Sequence, residues 1–119
     1  MTRMAGGRAC VVGIAGGSGS GKTTLARRLL EQSRRLGIEG RLFSIDNYYR
    51  PLEHLGLRAR KAYNFDHPDA IDFPLAREHL GRLLAGSPVR VPVYDFRLYT
   101  RRRSTAALRP APLIVVEGL

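Results

Sequence analysis

The period of the apolar positions changes several times along the chain. "ACVVGIA" (9–15) is a continuous apolar run with β-branched residues, bounded by glycine, and it predicts a buried strand. From Lys22 the period becomes helical. Leu25, Ala26, Leu29, Leu30 and Leu36 recur on one face, and Arg27, Arg28, Glu31, Arg34 and Arg35 occupy the rest. Gly37 supplies a helix stop. "RLFSI" (41–45) predicts a second strand, which ends at the polar and aromatic "DNYYR". Residues 51–64 fit either a short helix broken at Gly56 or a loop.

"LAREHLGRLLAG" (75–86) predicts a second amphipathic helix, with Leu75, Ala76, Leu80, Leu83 and Leu84 inward, Asp72 as N-cap and Gly86 as stop. "VRVPVYDF" (89–96) alternates, and Pro92 restricts it to an edge strand or a hairpin arm. "TRRRSTAALRPAP" (100–112) reads as a basic turn or the second arm. "LIVVEG" (113–118) predicts a third buried strand with Glu117 at its carboxyl end. Apolar strands alternating with amphipathic helices point to a parallel α/β sheet. A chain of 119 residues has room for one domain.

Composition alters this picture little. The chain is 44% hydrophobic and 25% charged, as globular domains are, and no apolar run reaches the roughly 20 residues of a membrane span. The single Cys10 builds no disulfide framework; it reads as a small buried hydrophobe and fits a reducing cytosol. The net charge is +10, and all but Lys22 and Lys61 of the 20 cations are arginine. Such a charge can serve a phosphate-rich partner or simply solvate the surface. The arginines are spread along the chain, and the densest run is Arg101, Arg102 and Arg103.

Candidate chemistry begins at "GGSGSGKTT" (16–24). Gly16, Gly17, Ser18, Gly19, Ser20, Gly21, Lys22 and Thr23 match G-x-x-x-x-G-K-[ST], with a strand before and a helix after. A triphosphate needs many donors and no bulky side chains. Glycines let the backbone turn its N–H groups inward, and the following helix adds its free N–H groups and positive dipole end. Lys22 reaches the β- and γ-phosphates, and Thr23, followed by Thr24, offers its hydroxyl to Mg²⁺. At the ends of the other two strands stand Asp46, a candidate base, and Glu117, a candidate metal ligand. Tyr48, Tyr49, Phe65, Tyr94, Phe96 and Tyr99 fall in three segments that also carry Asp66, Asp95 and Arg97. Such rings stack on a flat base, and a carboxylate suits a ribose diol. His67, between Asp66 and Pro68, reads as a turn former; His54 and His79 read as surface residues.

Read together, "GGSGSGKTT", "DNYYR", "YNFDHPDAID", "VPVYDFRLYTR" and "IVVEGL" resemble the uridine kinase (uridine–cytidine kinase) family of P-loop kinases, in order and in spacing. "NFDHPDA" and "PVYDF" are far more specific than the phosphate loop. The resemblance implies a P-loop NTPase-type parallel sheet flanked by helices, with a small β-hairpin nucleoside-binding insertion. It implies transfer of the γ-phosphoryl of ATP (or GTP), with Mg²⁺, to the 5′-hydroxyl of uridine or cytidine. By the same resemblance Asp46 is the base and lies close to the metal, Thr23 and Glu117 are magnesium ligands, and Asp66 holds the ribose hydroxyls. Tyr49, Phe65, Tyr94 and Phe96 line the nucleoside pocket. The family's partners are a small-molecule nucleoside and further copies of the chain, as a tetramer, rather than a membrane or a nucleic acid.

Two positions depart from the pattern. Tyr99 stands where many members carry a histidine that reads the base edge. A tyrosine hydroxyl can donate to the N3 acceptor of cytosine, so a cytidine preference is expected. The second departure is at "VVEGL", beyond which family members continue with further strands and an Arg-bearing lid. The chain is therefore expected to be an N-terminal portion of the fold, with an open edge beside the phosphate-loop strand. The competing reading is a P-loop module that binds nucleotide or nucleic acid without turnover.

Overall fold

The computed structural model describes residues 9–16, 21–65 and 67–118. In chain order they form β1 (Cys10–Ile14), α1 (Lys22–Arg35), β2 (Gly40–Ser44), a 3-10 turn (Ile45–Tyr48), α2 (Leu57–Lys61), a second 3-10 turn (Pro68–Ala70), α3 (Phe73–Leu84), β3 (Val89–Asp95), β4 (Thr100–Leu108) and β5 (Leu113–Glu117). The strands make two sheets. One is parallel, in the order β1–β5–β2; the other is the antiparallel hairpin β3–β4.

The most apolar strand takes the centre. In β5, Leu113, Ile114 and Val115 are fully buried, because helices or loops cover both faces. The period of two divides its side chains. Leu113 and Val115 pack with Ala26, Leu29 and Leu30 of α1. Ile114 and Val116 pack on the other side with Phe43, Tyr48, Ile71, Ala76 and Leu83. β1 pairs only with β5 among the described residues, and its Val11 is 42% exposed. The open edge expected beside the phosphate-loop strand is therefore present in the described residues.

Both long helices end as their sequences predict. Gly37 and Gly86 take positive φ, +79° and +93°, just past α1 and α3, a conformation that costs a side-chain-bearing residue about 1–2 kcal/mol. Asp72 caps α3 by accepting from Leu75 N–H at 3.2 Å. Of residues 51–64 only Leu57–Lys61 form a helix, α2, with Gly56 at its N-cap, and the rest is turn and loop. The apolar face of α1 is narrower than its pattern. Leu25 and Leu36 are 56% and 77% exposed, since one lies in the first turn and the other at the C-cap, while the sheet reaches only Ala26, Leu29 and Leu30. Cys10 is half-buried rather than buried. No described helix is long and apolar enough to cross a membrane.

Candidate active site

The parallel register sets Ile14, Glu117 and Ser44 side by side at the carboxyl edge of the sheet. In open α/β sheets ligands bind beyond this edge. β1 leads there into the glycine-rich stretch and α1. Gly17, Ser18, Gly19, Ser20 and Asp66 lie outside the described residues. Gly21 is described and takes φ +82°, the left-handed conformation that glycine permits without strain. It is the N-cap of α1 and offers no side-chain cap, and the first turn holds no acidic residue. The positive end of α1 is thus free of a neutralising carboxylate from its own first turn. Lys22, Thr23 and Thr24 open the helix, with Lys22 half-buried and both threonines exposed.

Glu117 is 6% exposed. Its Oε1 accepts from Ser44 Oγ at 3.2 Å, and its Oε2 is buried without a partner. A half-satisfied buried carboxylate is costly, and a cation relieves it. Asp46 follows one residue beyond the 3-10 turn's first position. It lies so close to Gly118 that a Cβ there would stand 3.3 Å from both Asp46 N and Asp46 Oδ1. Asp46 therefore stands against the residue that directly follows Glu117. Among the described residues no three His, Cys, Asp or Glu side chains converge as a ready-made metal site. An ion here would complete its shell with phosphate oxygens and water, as Mg²⁺ commonly does.

The aromatic segments converge beside this edge. Phe65 lies at the centre, 5.4 Å from Tyr49, 5.3 Å from Tyr63, 6.3 Å from Tyr94 and 6.0 Å from Tyr99, ring centre to ring centre. Tyr94 also meets Tyr49 at 5.3 Å and Phe96 at 4.9 Å. All six of these pairs are tilted or edge-on rather than stacked, arrangements that the ring quadrupoles favour. Tyr94 Oη is buried and unpartnered, and burial, with neighbouring Tyr49, pushes its hydroxyl up to about 12. It is therefore a neutral donor that lacks an acceptor. Tyr99 holds φ +55°, a strained value for a tyrosine.

The structure separates residues that the sequence grouped. Tyr48 belongs to the core, not to the cage. It stacks on Phe43 at 5.2 Å, and its hydroxyl lies 2.8 Å from His79 Nδ1. The backbone turns extended at Tyr49, φ −55° and ψ 140°, so neighbouring tyrosines diverge. His79 is accordingly a core partner rather than a surface residue. Burial holds it below the ordinary histidine range. Asp95 shapes the hairpin loop. It accepts from Arg97 N–H at 2.9 Å and Leu98 N–H at 3.2 Å, and these bonds, the Arg97 one foremost, hold it below the usual carboxylate range against its burial. Arg97 is exposed. His67 forms a turn, as expected, its Nδ1 accepting from Asp69 N–H at 3.0 Å.

Three contributors escape sequence reasoning. Tyr63 joins the cage. Asn47 Oδ1 accepts from Tyr94 N–H at 3.3 Å. Arg60 donates to the carbonyls of Leu52, Leu55 and Leu98. Asn47 reaches a backbone N–H 47 positions away and Arg60 the Leu98 carbonyl 38 positions away, contacts that no local pattern encodes.

A parallel sheet flanked by helices, with a G-x-x-x-x-G-K-T sequence joining β1 to α1 and an acid closing the central strand, defines a P-loop kinase fold. The chain belongs to the phosphoribulokinase / uridine kinase family, whose model matches residues 11–119. It is 44% identical over 111 residues to a uridine kinase of Deinococcus deserti, covering 93% of this chain and 53% of the relative. A uridine kinase of Chloroflexus aurantiacus is 45% identical, with 92% of this chain and 51% of the relative covered. Among solved structures, one titled as a possible uridine kinase from Bacillus stearothermophilus superposes with a TM-score of 0.69 at 28% identity, over 93% of this chain and 61% of that one. The chain thus spans about half the length of the curated relatives it matches.

Proposed function

We propose that residues 1–119 form the incomplete P-loop domain of an ATP-dependent kinase for pyrimidine ribonucleosides, one that converts uridine and cytidine to their 5′-monophosphates. One observation carries this reading. Among the described residues two buried side-chain oxygens lack partners, Tyr94 Oη in the aromatic cage and Glu117 Oε2 at the sheet edge. Asp46 lies on the segment that links these places. A base in the cage and a metal-bound triphosphate at the edge would satisfy both atoms, with Asp46 between them. A sugar phosphate, the other acceptor class that the family's name covers, has no flat group for the rings to hold.

In this reading Gly16, Gly17, Ser18, Gly19, Ser20, Gly21, Lys22, Thr23 and Thr24 cradle the phosphates of ATP. Thr23, Asp46 and Glu117 would hold Mg²⁺, which when bound neutralises charge on the β- and γ-phosphates. Tyr49, Phe65, Tyr94 and Phe96 clasp the base, and Asp66 holds the ribose diol. Asp46 accepts the proton of the 5′-hydroxyl as that oxygen bonds to the γ-phosphorus. The bond to the β–γ bridging oxygen breaks, and ADP leaves. Lys22 stabilises the charge that develops. A homotetramer in the cytoplasm completes the proposal.

Tyr99 sets the base preference. A hydroxyl donating to N3 meets an acceptor in cytosine and a donor in uracil, and a mismatch at a buried polar site costs up to about 10⁴-fold. The test is ADP release with uridine, cytidine and ribulose 5-phosphate in turn. Release that needs a nucleoside supports the reading, and a higher kcat/KM for cytidine supports the role of Tyr99. Release only with the sugar phosphate overturns the first; equal values for the two nucleosides overturn the second.

A further inference from the structure

The densest basic run, Arg101–Arg103, reads in sequence as charge for a phosphate-rich partner, but in the fold its members part ways. Arg102 and Arg103 are exposed on β4. The Arg101 side chain is only 16% exposed and turns inward. Its Nε donates to Tyr49 O at 2.8 Å and its Nη2 to Tyr48 O at 3.3 Å. The same Nη2 lies 3.6 Å from Asp72 Oδ2. Asp72 in turn caps α3 and donates its N–H to Tyr48 O at 2.7 Å.

These bonds join two pieces that no strand pairing joins. Arg101 lies directly opposite Tyr94 in the β3–β4 register. Its acceptors end the short segment that begins at Asp46. Nearby bonds follow the same seam. Thr100 Oγ1 accepts from Leu52 N–H at 2.7 Å, and Asn47 Oδ1 accepts from Tyr94 N–H. The cage is split across this seam, with Tyr94, Phe96 and Tyr99 on the hairpin and Tyr49 on the other side. A planar guanidinium presents its donors in a fixed fork that suits two successive carbonyls and a carboxylate at once, whereas an ammonium is a compact charge on a flexible stem.

We infer that Arg101 is a positioning residue, one that locks the hairpin half of the aromatic cage against the Asp46–Tyr49 segment and so sets where a nucleoside lies relative to Asp46. Its kinetic consequence rests on the nucleoside-kinase reading; its structural consequence does not.

The test compares full-length wild-type protein with Arg101→Lys, Arg101→Ala and, as a control on the same strand, Arg103→Ala. Hydrogen exchange at the Leu52 and Tyr94 amides, both donors across the seam, reads the clamp without activity. Exchange in the Arg101 variants should rise about tenfold, the loss of one charge-assisted bond, and stay unchanged in Arg103→Ala. With a nucleoside acceptor, kcat/KM should fall about 100-fold, as small misplacements cost, while the KM for ATP holds. Guanidinium ion at millimolar concentration should restore part of the Arg101→Ala loss and none in wild type. Arg101→Lys keeps the charge beside Asp72, so it serves if Arg101→Ala fails to fold. Wild-type exchange in the Arg101 variants overturns the inference. So does an equal loss toward ATP and nucleoside without guanidinium rescue, the mark of a general packing role. If wild type phosphorylates no nucleoside, the function proposed above fails, and the exchange data still decide the clamp.

Discussion

Ser44 Oγ donates to Glu117 Oε1 across the β2–β5 pair at 3.2 Å, and the other oxygen of Glu117 is left buried with nothing to bind. The strand register makes this contact, since Ser44 and Glu117 are directly paired. It fixes one carboxylate oxygen and leaves the other unsatisfied at the carboxyl end of β5.

Glu117→Gln should separate stability from chemistry. An unsatisfied buried carboxylate costs about 1–3 kcal/mol, so in metal-free buffer the amide variant should melt a few degrees higher than wild type. It should also lose the rise in Tm that Mg²⁺ with ATP gives wild type, and phosphoryl transfer should drop at least about 100-fold. Thermal scans with and without Mg²⁺-ATP check both. A variant that keeps the ligand-induced rise removes Glu117 from the metal site.

Gly118→Ala should be costly although it adds one carbon. Gly118 has φ +131°, and a Cβ would meet Ile45 Cβ at 2.9 Å and Asp46 N at 3.3 Å. Backbone strain of this kind costs about 1–3 kcal/mol, and relieving the contact moves Asp46. Urea unfolding should show the loss, and kcat should fall by more than stability explains. A variant with wild-type kcat would detach Asp46 from this contact.

Tyr94→Phe removes a hydroxyl that the free protein leaves unpaired. Stability without nucleoside should hold or rise. The KM for nucleoside should rise about 5- to 100-fold, as loss of a buried hydrogen bond to ligand predicts, with the KM for ATP unchanged. Steady-state kinetics with each substrate varied decide it; an unchanged nucleoside KM takes Tyr94 Oη out of the base site.

His79 should make folding stability sensitive to mild acid. The lowered pKa favours the neutral ring, and in the tautomer with Nδ1 unprotonated that atom accepts from the Tyr48 hydroxyl 2.8 Å away. Burial lowers the His79 pKa first; Arg82 and Arg101 lower it further, while Glu78 and Asp72 raise it. The native value therefore lies below the unfolded one. Stability is fully present above about pH 6.5 and is lost as pH falls from there through the native value, because the unfolded chain takes up the proton first. Protonation also removes the acceptor for the Tyr48 hydroxyl. Denaturant midpoints between pH 7.5 and 5 should fall more steeply for wild type than for His79→Phe. Parallel curves would refute it.

The β1, α1, β2, α3 and β5 elements were legible in the chain because each announces itself locally. Apolar runs, a helical period and glycine or aspartate at the ends depend on neighbours a few residues away. The candidate positions, the phosphate-loop match, Asp46 and Glu117, were legible for the same reason: each stands at or just past a strand end. The fate of Tyr48 against Tyr49 was not legible, since one backbone turn sends the first to His79 and the second to Phe65. Nor was the separate fate of Arg101 and its two neighbours in the basic run. A guanidinium that binds the carbonyls of residues 48 and 49, 52 positions away from the latter, leaves no trace in composition or period. Strand order, the meeting of the cage and the orphaned oxygens are likewise long-range facts. They follow from which surfaces exclude water together, and that depends on the whole chain at once.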